Sequence, residues 1–202
     1  SVIDMAQVLR QTLRLIRSSI PANVNIDVQV VSPVDPVYGN ADQLEQVIVN
    51  LCTNAKEAVV ETSGTIVIGL RNTSLPDGGD DRFPELAPGN YVALTFQDNG
   101  VGMAPETLGR IFEPFFTTKA FGKGTGFGLA EVHGIVKGHG GDISVSSEAG
   151  KGTTFTILLA AHKRKSASPV PAGGELPRGN EQILLVDDEA AILKMGKQGL
   201  EL

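Results

Sequence analysis

Two asparagines stand one helical turn apart in the segment NLCTNAKEA, at positions 50 and 54. Leu44, Val47 and Leu51 fall on one apolar stripe of the predicted helix, because steps of three and four residues return to the same face. Asn50 and Asn54 fall on a neighbouring stripe, at the rim of the predicted helix–sheet interface. Asparagine is a weak helix former, so two amides here indicate a binding role about as readily as a solvated helix edge.

A carboxylate followed by two glycines stands in the segment DNGVGMAPE. Asp98 ends a predicted strand, Gly100 and Gly102 permit a tight turn, and Pro105 begins a helix. A carboxylate at a strand end, beside backbone that allows close approach, suits the exocyclic amine of a ligand. Taken alone, the segment is better explained as an ordinary turn with an aspartate cap.

A third segment, EPFFTTKAFGKGTGFGL, combines lysines with alternating glycines and opens a helix at Phe127. Backbone N–H groups of a glycine loop at a helix N-terminus bind phosphate, and a lysine adds positive charge. The spacing matches neither the dinucleotide-binding fingerprint nor the P-loop. The alternative, a flexible linker, gives the preceding aromatic residues no purpose. The candidate residues are Lys119, Gly122, Lys123, Gly124, Thr125, Gly126, Phe127, Gly128 and Leu129.

The elements that must position these residues follow from hydrophobic periodicity. Helices are predicted over residues 3–20, 42–61, about 105–112, and 127–138. Strands are predicted over residues 24–31, 65–75, 91–98, 142–147 and 153–161, and residues 76–89 are predicted to be a solvated hairpin connection. Strands paired by hairpins, with helices between them, predict an α+β fold: a two-layer α/β sandwich with a mixed, mostly antiparallel sheet covered by helices on one face.

Composition narrows the class of protein. The chain has 202 residues, 41% of them hydrophobic, and a net charge of −6, which argues against a nucleic-acid or anionic-membrane surface. Cys52 is the only cysteine, so no disulfide forms within the chain, which fits a reducing, cytoplasmic compartment. The apolar runs are too short to span a bilayer. The chain begins within a helical pattern and ends in mid-pattern, so we expect it to be part of a longer protein, and a membrane anchor elsewhere in that protein stays open.

The three segments occur in an order that is specific as a set. Residues 25–161 resemble the catalytic ATP-binding domain of sensor histidine kinases, in the superfamily shared with DNA gyrase, MutL and Hsp90. NLCTNAKEA resembles the asparagine box, DNGVGM the first glycine box, FEPFFTTK the phenylalanine box, and GKGTGFGL the second glycine box. GKGTTF resembles the closing glycine–threonine segment. The resemblance implies a Bergerat-type fold that binds ATP and Mg²⁺.

The same resemblance implies roles for individual residues. Asn54 matches the asparagine that ligates the ATP-bound Mg²⁺, Asp98 the acid that accepts a hydrogen bond from the adenine amine, and Thr153 the threonine on the adenine edge. The segment from Gly122 to Gly128 matches the phosphate-contacting end of the ATP lid, with Lys119 and Lys123 as lid cations. Three residues after the second asparagine, where many such kinases carry Lys or Arg, this chain has Glu57, preceded by Lys56.

Asn50 separates phosphoryl transfer from hydrolysis within this superfamily. Hydrolytic relatives carry a glutamate there as general base, and an amide cannot accept a proton at neutral pH. The resemblance therefore implies that ATP is bound without efficient activation of water and that its γ-phosphoryl group passes to a histidine. That histidine is expected in a domain outside this chain. His133 is interpreted as structural, and His139 and His162 as surface positions.

The resemblance also divides the chain. Residues 1–22 are expected to end the helical dimerisation and phosphoacceptor region, residues 23–161 to form the catalytic domain, residues 162–180 a linker, and residues 181–202 the start of a receiver domain. Asp187 and Asp188 match the acidic pair that holds Mg²⁺ in receivers. The parent is then expected to be a homodimeric hybrid kinase, with its own phosphoacceptor domain and a receiver or response regulator as partners. Two alternatives stay open: a hydrolytic ATPase of the gyrase, Hsp90 or MutL type, and an interaction module that binds no nucleotide.

Overall fold

The computed structural model describes residues 1–59, 64–119 and 125–162. Gly122, Lys123 and Gly124 lie outside these ranges, as do the predicted receiver segment and nearly all of the predicted linker. In chain order the elements are β1 (Val2–Ile3), α1 (Met5–Ile16), β2 (Asn25–Val30), β3 (Val37–Tyr38), α2 (Ala41–Val59), β4 (Thr65–Leu75), β5 (Gly89–Asp98), α3 (Pro105–Leu108), α4 (Gly128–Gly138), β6 (Asp142–Glu148) and β7 (Gly152–Ala160).

The main sheet has five strands in the order β2–β4–β5–β7–β6. β2 pairs parallel with β4, and the remaining pairs are antiparallel. The predicted α+β fold, with a mixed and mostly antiparallel sheet, is therefore confirmed. In the register, Asp98 at the end of β5 lies opposite Thr153 near the start of β7, so two candidate site residues become neighbours across one strand pair.

The helices cover one face of this sheet because their apolar stripes match the strands' inward residues. α2 buries Leu44, Val47, Ile48 and Leu51. The strands present the side chains that these meet, among them Ile66, Ile68, Leu94, Phe96 and Ile157, all nearly inaccessible to solvent. Each such side chain contributes roughly 1.5–3 kcal/mol through burial. α2 is therefore held firmly enough to carry polar side chains at its rim.

α1 is shorter than the predicted helix over residues 3–20. It begins after Asp4, whose Oδ1 accepts hydrogen bonds from the N–H groups of Ala6 (2.9 Å) and Gln7 (3.1 Å). It ends at Ile16, where a short 3₁₀ turn follows. Met5 and Leu9 are completely buried in the core that α2 also joins. Within this chain α1 packs as part of the same compact unit, and the domain boundary at residue 22 stays a prediction about the parent protein.

Residues 76–88 correct a second expectation. The predicted solvated connection instead folds over the sheet face opposite the helices, where Phe83 is 1% exposed. Phe83 packs in a small apolar cluster with Leu75, Tyr91 and Leu158. The Tyr91 hydroxyl donates to the carbonyl oxygen of Ala87 (2.6 Å) and fixes the loop further. Burial of the Phe83 ring thus anchors this segment on the sheet, although its acidic, Gly- and Pro-rich composition predicts a solvated loop.

α2 and α4 run in opposite directions and meet near residues 40 and 139. The Nε2 atom of His139 accepts a hydrogen bond from the backbone N–H of Asn40 (3.0 Å), and its Nδ1 bonds the carbonyl oxygen of Ile135 (2.7 Å). The surface position predicted for His139 is therefore wrong: its ring is half-buried and bonded through both nitrogens. His133 stacks on Phe112, with ring centroids 5.0 Å apart.

Two smaller features complete the fold. β1 and β3 form a separate antiparallel ladder of two residues each, which periodicity does not predict because the segments are too short. The helix predicted around 105–112 is limited to α3, and turns follow it. Among the described residues, no helix combines the length and apolarity that a membrane crossing requires.

Candidate functional site

A cavity of about 880 Å³ opens beside α2, above the ends of β5 and β7. Its other walls come from residues 101–119 and from the start of α4. We call this cavity the groove. Most of the predicted site residues line it: Asn50, Asn54, Asp98, Gly102, Lys119, Thr125, Gly126, Gly128, Leu129 and Thr153. Gly100 and Phe127 stand directly beside lining residues, whereas Gly122, Lys123 and Gly124 fall outside the described ranges.

Asp98 and Thr153 are the buried polar residues that line the groove within the described ranges. The side chain of Asp98 is 6% exposed, and its Oδ1 accepts a hydrogen bond from the backbone N–H of Gly100 (2.9 Å). Burial raises the pKa of the Asp98 carboxyl above its usual range, while backbone hydrogen bonds from Gly100 and Thr153 act in the opposite direction. The result is a fixed hydrogen-bond acceptor at the end of a central strand, suited to a ligand's amine.

Thr153 belongs to a hydroxyl network beside this carboxylate. Its Oγ1 lies 2.9 Å from the Oγ of Ser147, which donates to the carbonyl oxygen of Gly152 (3.0 Å) and accepts from the backbone N–H of Met103 (2.9 Å). Ser147 has one proton, and a carbonyl can only accept. Because Ser147 donates its proton to the Gly152 carbonyl, Thr153 must be the donor in its bond to Ser147. The lone pairs of the Thr153 hydroxyl then remain available to a ligand.

Ser147 is not among the sequence-predicted site residues. It stands in β6 directly opposite Thr153 in the β6–β7 register. The only signal in the sequence is strand alternation, which puts Ser147 on the same face of β6 as Ile143 and Val145. Nothing in that pattern distinguishes a serine facing the groove from one at an ordinary strand end.

The two amides of α2 differ in their surroundings. The Nδ2 of Asn50 donates to the Oε2 of Glu131 in α4 (3.0 Å). Asn54 lines the groove without a side-chain hydrogen bond to any part of the chain that the structure describes. An amide oxygen is a suitable ligand for a hard cation. Within the described ranges no group of three or more acidic, His or Cys side chains converges on a metal position.

An ion pair spans the mouth of the groove. The Nζ of Lys119 contacts the Oε2 of Glu57, and both side chains are about 40% exposed, at 39% and 41%. Both residues line the groove, whereas Lys56 is not among its lining residues. The lysine that ends the phenylalanine-rich segment is thus bound by Glu57, three residues after Asn54.

The start of α4 offers unused backbone donors. Phe127 precedes Gly128 at this end and makes no side-chain capping bond. The first N–H groups of a helix point along its axis and carry partial positive charge, so an uncapped start attracts anions. Thr125 and Gly126, just before it, also line the groove.

Gly126 ties this helix start to the phenylalanine-rich segment. Its φ is +67°, and a Cβ at this position would lie 2.7 Å from the Cα of Phe115. The backbone N–H of Phe115 donates to the carbonyl oxygen of Gly126 (3.0 Å), and the rings of Phe115 and Phe127 meet edge to face at 4.5 Å. Only glycine permits this approach, so position 126 is set by backbone contact.

Comparison with known proteins gives a family match. The family described as histidine kinase-, DNA gyrase B-, and HSP90-like ATPase matches residues 39–163. The sensor kinase CckA of Brucella abortus is 37% identical over 209 residues, which cover 99% of this chain and 22% of that protein. The chain therefore spans about a fifth of that curated relative.

Two solved structures show the same fold. The catalytic domain of the histidine kinase ThkA superposes with a TM-score of 0.63 at 25% identity, over 80% of this chain and 95% of that one. Full-length ShkA in complex with AMPPNP superposes with a TM-score of 0.62 at 26% identity, over 81% of this chain and 32% of that one.

Proposed function

The chain belongs to the histidine kinase-, DNA gyrase B-, and HSP90-like ATPase family, and on that premise we propose that it is the ATP-binding catalytic domain of a sensor histidine kinase. It transfers the γ-phosphoryl group of ATP to a histidine of a separate helical domain. The acceptor is not one of its own histidines: His133 stacks on Phe112 and His139 is bonded through both nitrogens. His162 is exposed, with its ring 6.3 Å from Tyr38 and no carboxylate of the described ranges in contact.

The observation that carries this proposal is the pairing of a buried acceptor with an uncapped helix start in one groove. Asp98 receives the adenine amine, and the hydroxyl network at Thr153 borders the same edge of the base. The start of α4 and Lys119, which line the same groove, receive the phosphates. A groove of about 880 Å³ is large enough for a nucleoside triphosphate.

Asn54 is the residue that would hold Mg²⁺, since its amide oxygen is available in the groove. Because Mg²⁺ usually keeps several waters and binds through few protein ligands plus substrate phosphates, an amide ligand serves without an acidic cluster. When bound, Mg²⁺ neutralises charge that develops on the transferring phosphoryl group. The chain's own contribution is to hold the nucleotide in line and to surround its phosphates with Lys119 and backbone donors.

Transfer is favoured over hydrolysis by the chemistry of position 50. The Asn50 amide cannot take a proton from water, and its Nδ2 is engaged by Glu131. Glu131 itself is not among the described residues that line the groove, so it is not placed as a substitute base. ATP is consequently kept intact until an imidazole enters.

The wider assembly follows from the same proposal. The parent is a homodimeric hybrid kinase whose catalytic domain meets its own helical phosphoacceptor domain, and whose phosphoryl group then passes to an aspartate of a receiver or response regulator. Similarity to a sensor kinase supports this arrangement, as does the VDDE segment at 186–189. The cytoplasmic location stays a prediction.

Calorimetric titration of the 202-residue chain with ATP and ADP tests the proposal. We expect saturable binding that strengthens with Mg²⁺ and is lost on Asp98→Ala, because that change removes the only buried carboxylate that lines the groove in the described ranges. Asp142→Ala serves as control, since Asp142 is a buried carboxylate outside the groove, paired with Lys137 (2.6 Å). No heat of association for either nucleotide would refute the proposal.

Incubation with labelled ATP distinguishes the proposed phosphodonor from the two alternatives, a hydrolytic ATPase and an interaction module. A phosphodonor domain incubated alone retains no stable label and hydrolyses ATP slowly. Steady ATP turnover that disappears on changing Asn50 would instead establish a hydrolytic ATPase. Failure to bind any nucleotide, in a protein that unfolds cooperatively, would indicate an interaction module.

A further inference from the structure

We infer that Glu131 is a positioning residue that fixes the orientation of the Asn50 amide, so that its oxygen faces the groove. This inference rests on the proposed nucleotide site and extends it to a residue of α4 that does not line the groove. It begins from the hydrogen bond between the two side chains, Nδ2 of Asn50 to Oε2 of Glu131, at 3.0 Å.

The contact has a defined polarity. An ionised carboxylate only accepts hydrogen bonds, so Asn50 must present its NH₂ group to Glu131. The side-chain nitrogen of Gln46, one turn earlier in α2, lies 3.5 Å from the same Oε2 atom, which strengthens its role as an acceptor. Glu131 is held in the first turn of α4, where its own N–H donates to the carbonyl oxygen of Phe127 (2.8 Å).

The polarity of one end of the amide determines the other end. With Nδ2 committed to Glu131, Oδ1 of Asn50 lies on the side of Gly128, 3.5 Å from the position that a Cβ would take there. Gly128 and Asn50 both line the groove. An oxygen therefore stands where the phosphates and cation of the proposed ligand lie, one helical turn from Asn54.

Without Glu131, the amide would be released to rotate. A half-turn about its terminal torsion replaces the oxygen by the NH₂ group, which cannot bind a cation. Glu131 thus acts on ligand binding through Asn50, without touching the ligand.

The same geometry constrains which residue fits at position 50. A carboxylate there would stand directly against Glu131, and like charges at hydrogen-bond distance repel. The pair therefore selects an amide at 50 and disfavours the glutamate that a hydrolytic enzyme requires. Changing both partners together reverses the polarity and relieves the repulsion.

Calorimetry on the 202-residue chain, with ADP in the presence of Mg²⁺ and again in excess chelator, tests this inference. Glu131→Leu should weaken the Mg²⁺-dependent affinity about fivefold, the effect of losing one typical hydrogen bond, and leave the affinity in chelator unchanged. Glu131→Gln should lose less, because a carboxamide still offers an oxygen but no longer forbids the reversed arrangement. Glu106→Leu is the matched control: Glu106 is an exposed first-turn glutamate of α3 that does not line the groove.

The polarity swap gives the decisive comparison. Asn50→Asp alone should weaken Mg²⁺-dependent binding and lower the melting temperature. Asn50→Asp combined with Glu131→Gln should recover both, since the introduced carboxamide in α4 then donates to the introduced carboxylate in α2. Equal Mg²⁺-dependent affinities for the unsubstituted chain and Glu131→Leu, or no recovery in the double variant, would overturn the inference. If the unsubstituted chain binds no nucleotide, the result instead refutes the proposed function on which the inference rests.

Discussion

The two ends of the α2–α4 helix pair are built differently. At the end near Asn40, His139 uses both ring nitrogens for backbone hydrogen bonds, and Gly39 packs directly against the ring. At the end near Asn50, the side chains are partly exposed and line the groove, and Asn54 has no side-chain partner in the described ranges. Full satisfaction at one end holds the helices in place, which leaves unused hydrogen-bonding capacity at the other end for a ligand.

Of the substitutions that test this comparison, Gly39→Ala should have the largest effect on stability. A Cβ there would lie 2.7 Å from the Nε2 of His139, so Gly39→Ala must displace the ring and its bond to Asn40. We expect a loss of about 3 kcal/mol in the free energy of unfolding, measured by urea denaturation. Nucleotide affinity of the remaining folded protein should change little.

Two controls isolate the steric cause. In a His139→Ala background, Gly39→Ala should cost less than about 1 kcal/mol, because the obstructing ring is gone. Gly134→Ala, in α4 with nothing within 4 Å of its added Cβ, should stabilise the chain by about 0.5–1 kcal/mol. Equal losses for Gly39→Ala in both backgrounds would contradict the packing described.

Removal of His139 alone should have the next largest effect on stability. His139→Ala leaves the N–H of Asn40 without its side-chain acceptor, at a predicted cost of about 1–2 kcal/mol in unfolding free energy. His162→Ala is the matched comparison, since that ring is exposed, and should change stability by less than about 0.5 kcal/mol. If the two substitutions cost the same, the junction at residue 40 is not specifically stabilised by His139.

Lowering the pH should reduce the affinity of the groove for nucleotide. Because burial raises the pKa of Asp98, the folded protein protonates this carboxyl at a pH where the unfolded chain keeps it ionised. A protonated carboxyl is a poorer acceptor, so ADP affinity should fall as pH is lowered through the raised pKa, approaching about tenfold per pH unit below it.

The same shift affects stability with the opposite sign. A carboxyl with a raised folded pKa favours the folded state most at acid pH, and this contribution is lost as pH rises from the unfolded to the folded pKa. Asp98→Asn should bind ADP weakly and with a flatter pH dependence. If the ADP affinity of Asp98→Asn changes with pH as steeply as that of the unsubstituted chain, the pH dependence belongs to another group.

The smallest effect is expected at the mouth of the groove. Glu57 holds Lys119, which the proposed site uses for phosphate, so Glu57→Gln should release the lysine and tighten ATP binding by up to about fivefold. Lys119→Met should weaken it, and both effects should shrink at high salt because the pair is exposed. Weaker ATP binding by Glu57→Gln would show instead that the ion pair positions Lys119 for the ligand.

The sequence predicts the parts of this molecule that follow from periodicity and from a set of motifs. Alternation in 65–75 and 91–98 and the helical stripe of Leu44, Val47 and Leu51 predict the sheet and its covering helix, as observed. The groove brings together Asn50, Asn54, Asp98 and Thr153, which are far apart in the chain, because the elements that carry them are neighbours in the fold. Their individual roles toward a ligand stay predictions.

What the sequence does not reveal depends on spatial proximity. Phe83 lies in a segment whose composition is that of a solvated loop, and only the apolar cluster with Tyr91 and Leu158 explains its burial. Glu131 follows Asn50 by 81 positions, and a glutamate in a first helical turn is ordinary by itself. The roles of Ser147 and His139 escape prediction for the same reason: each acts through a partner that the fold, not the chain order, supplies.

The bond between Phe115 and Gly126 has a consequence for how this protein tolerates change in length. It closes the chain between these two residues at its base. Closing a longer loop costs only about 0.6 kcal/mol for each doubling of its length. Insertions or deletions between residues 120 and 124 would therefore cost little in closure free energy, and both anchor points, with the groove-lining residues beside them, would stay in register.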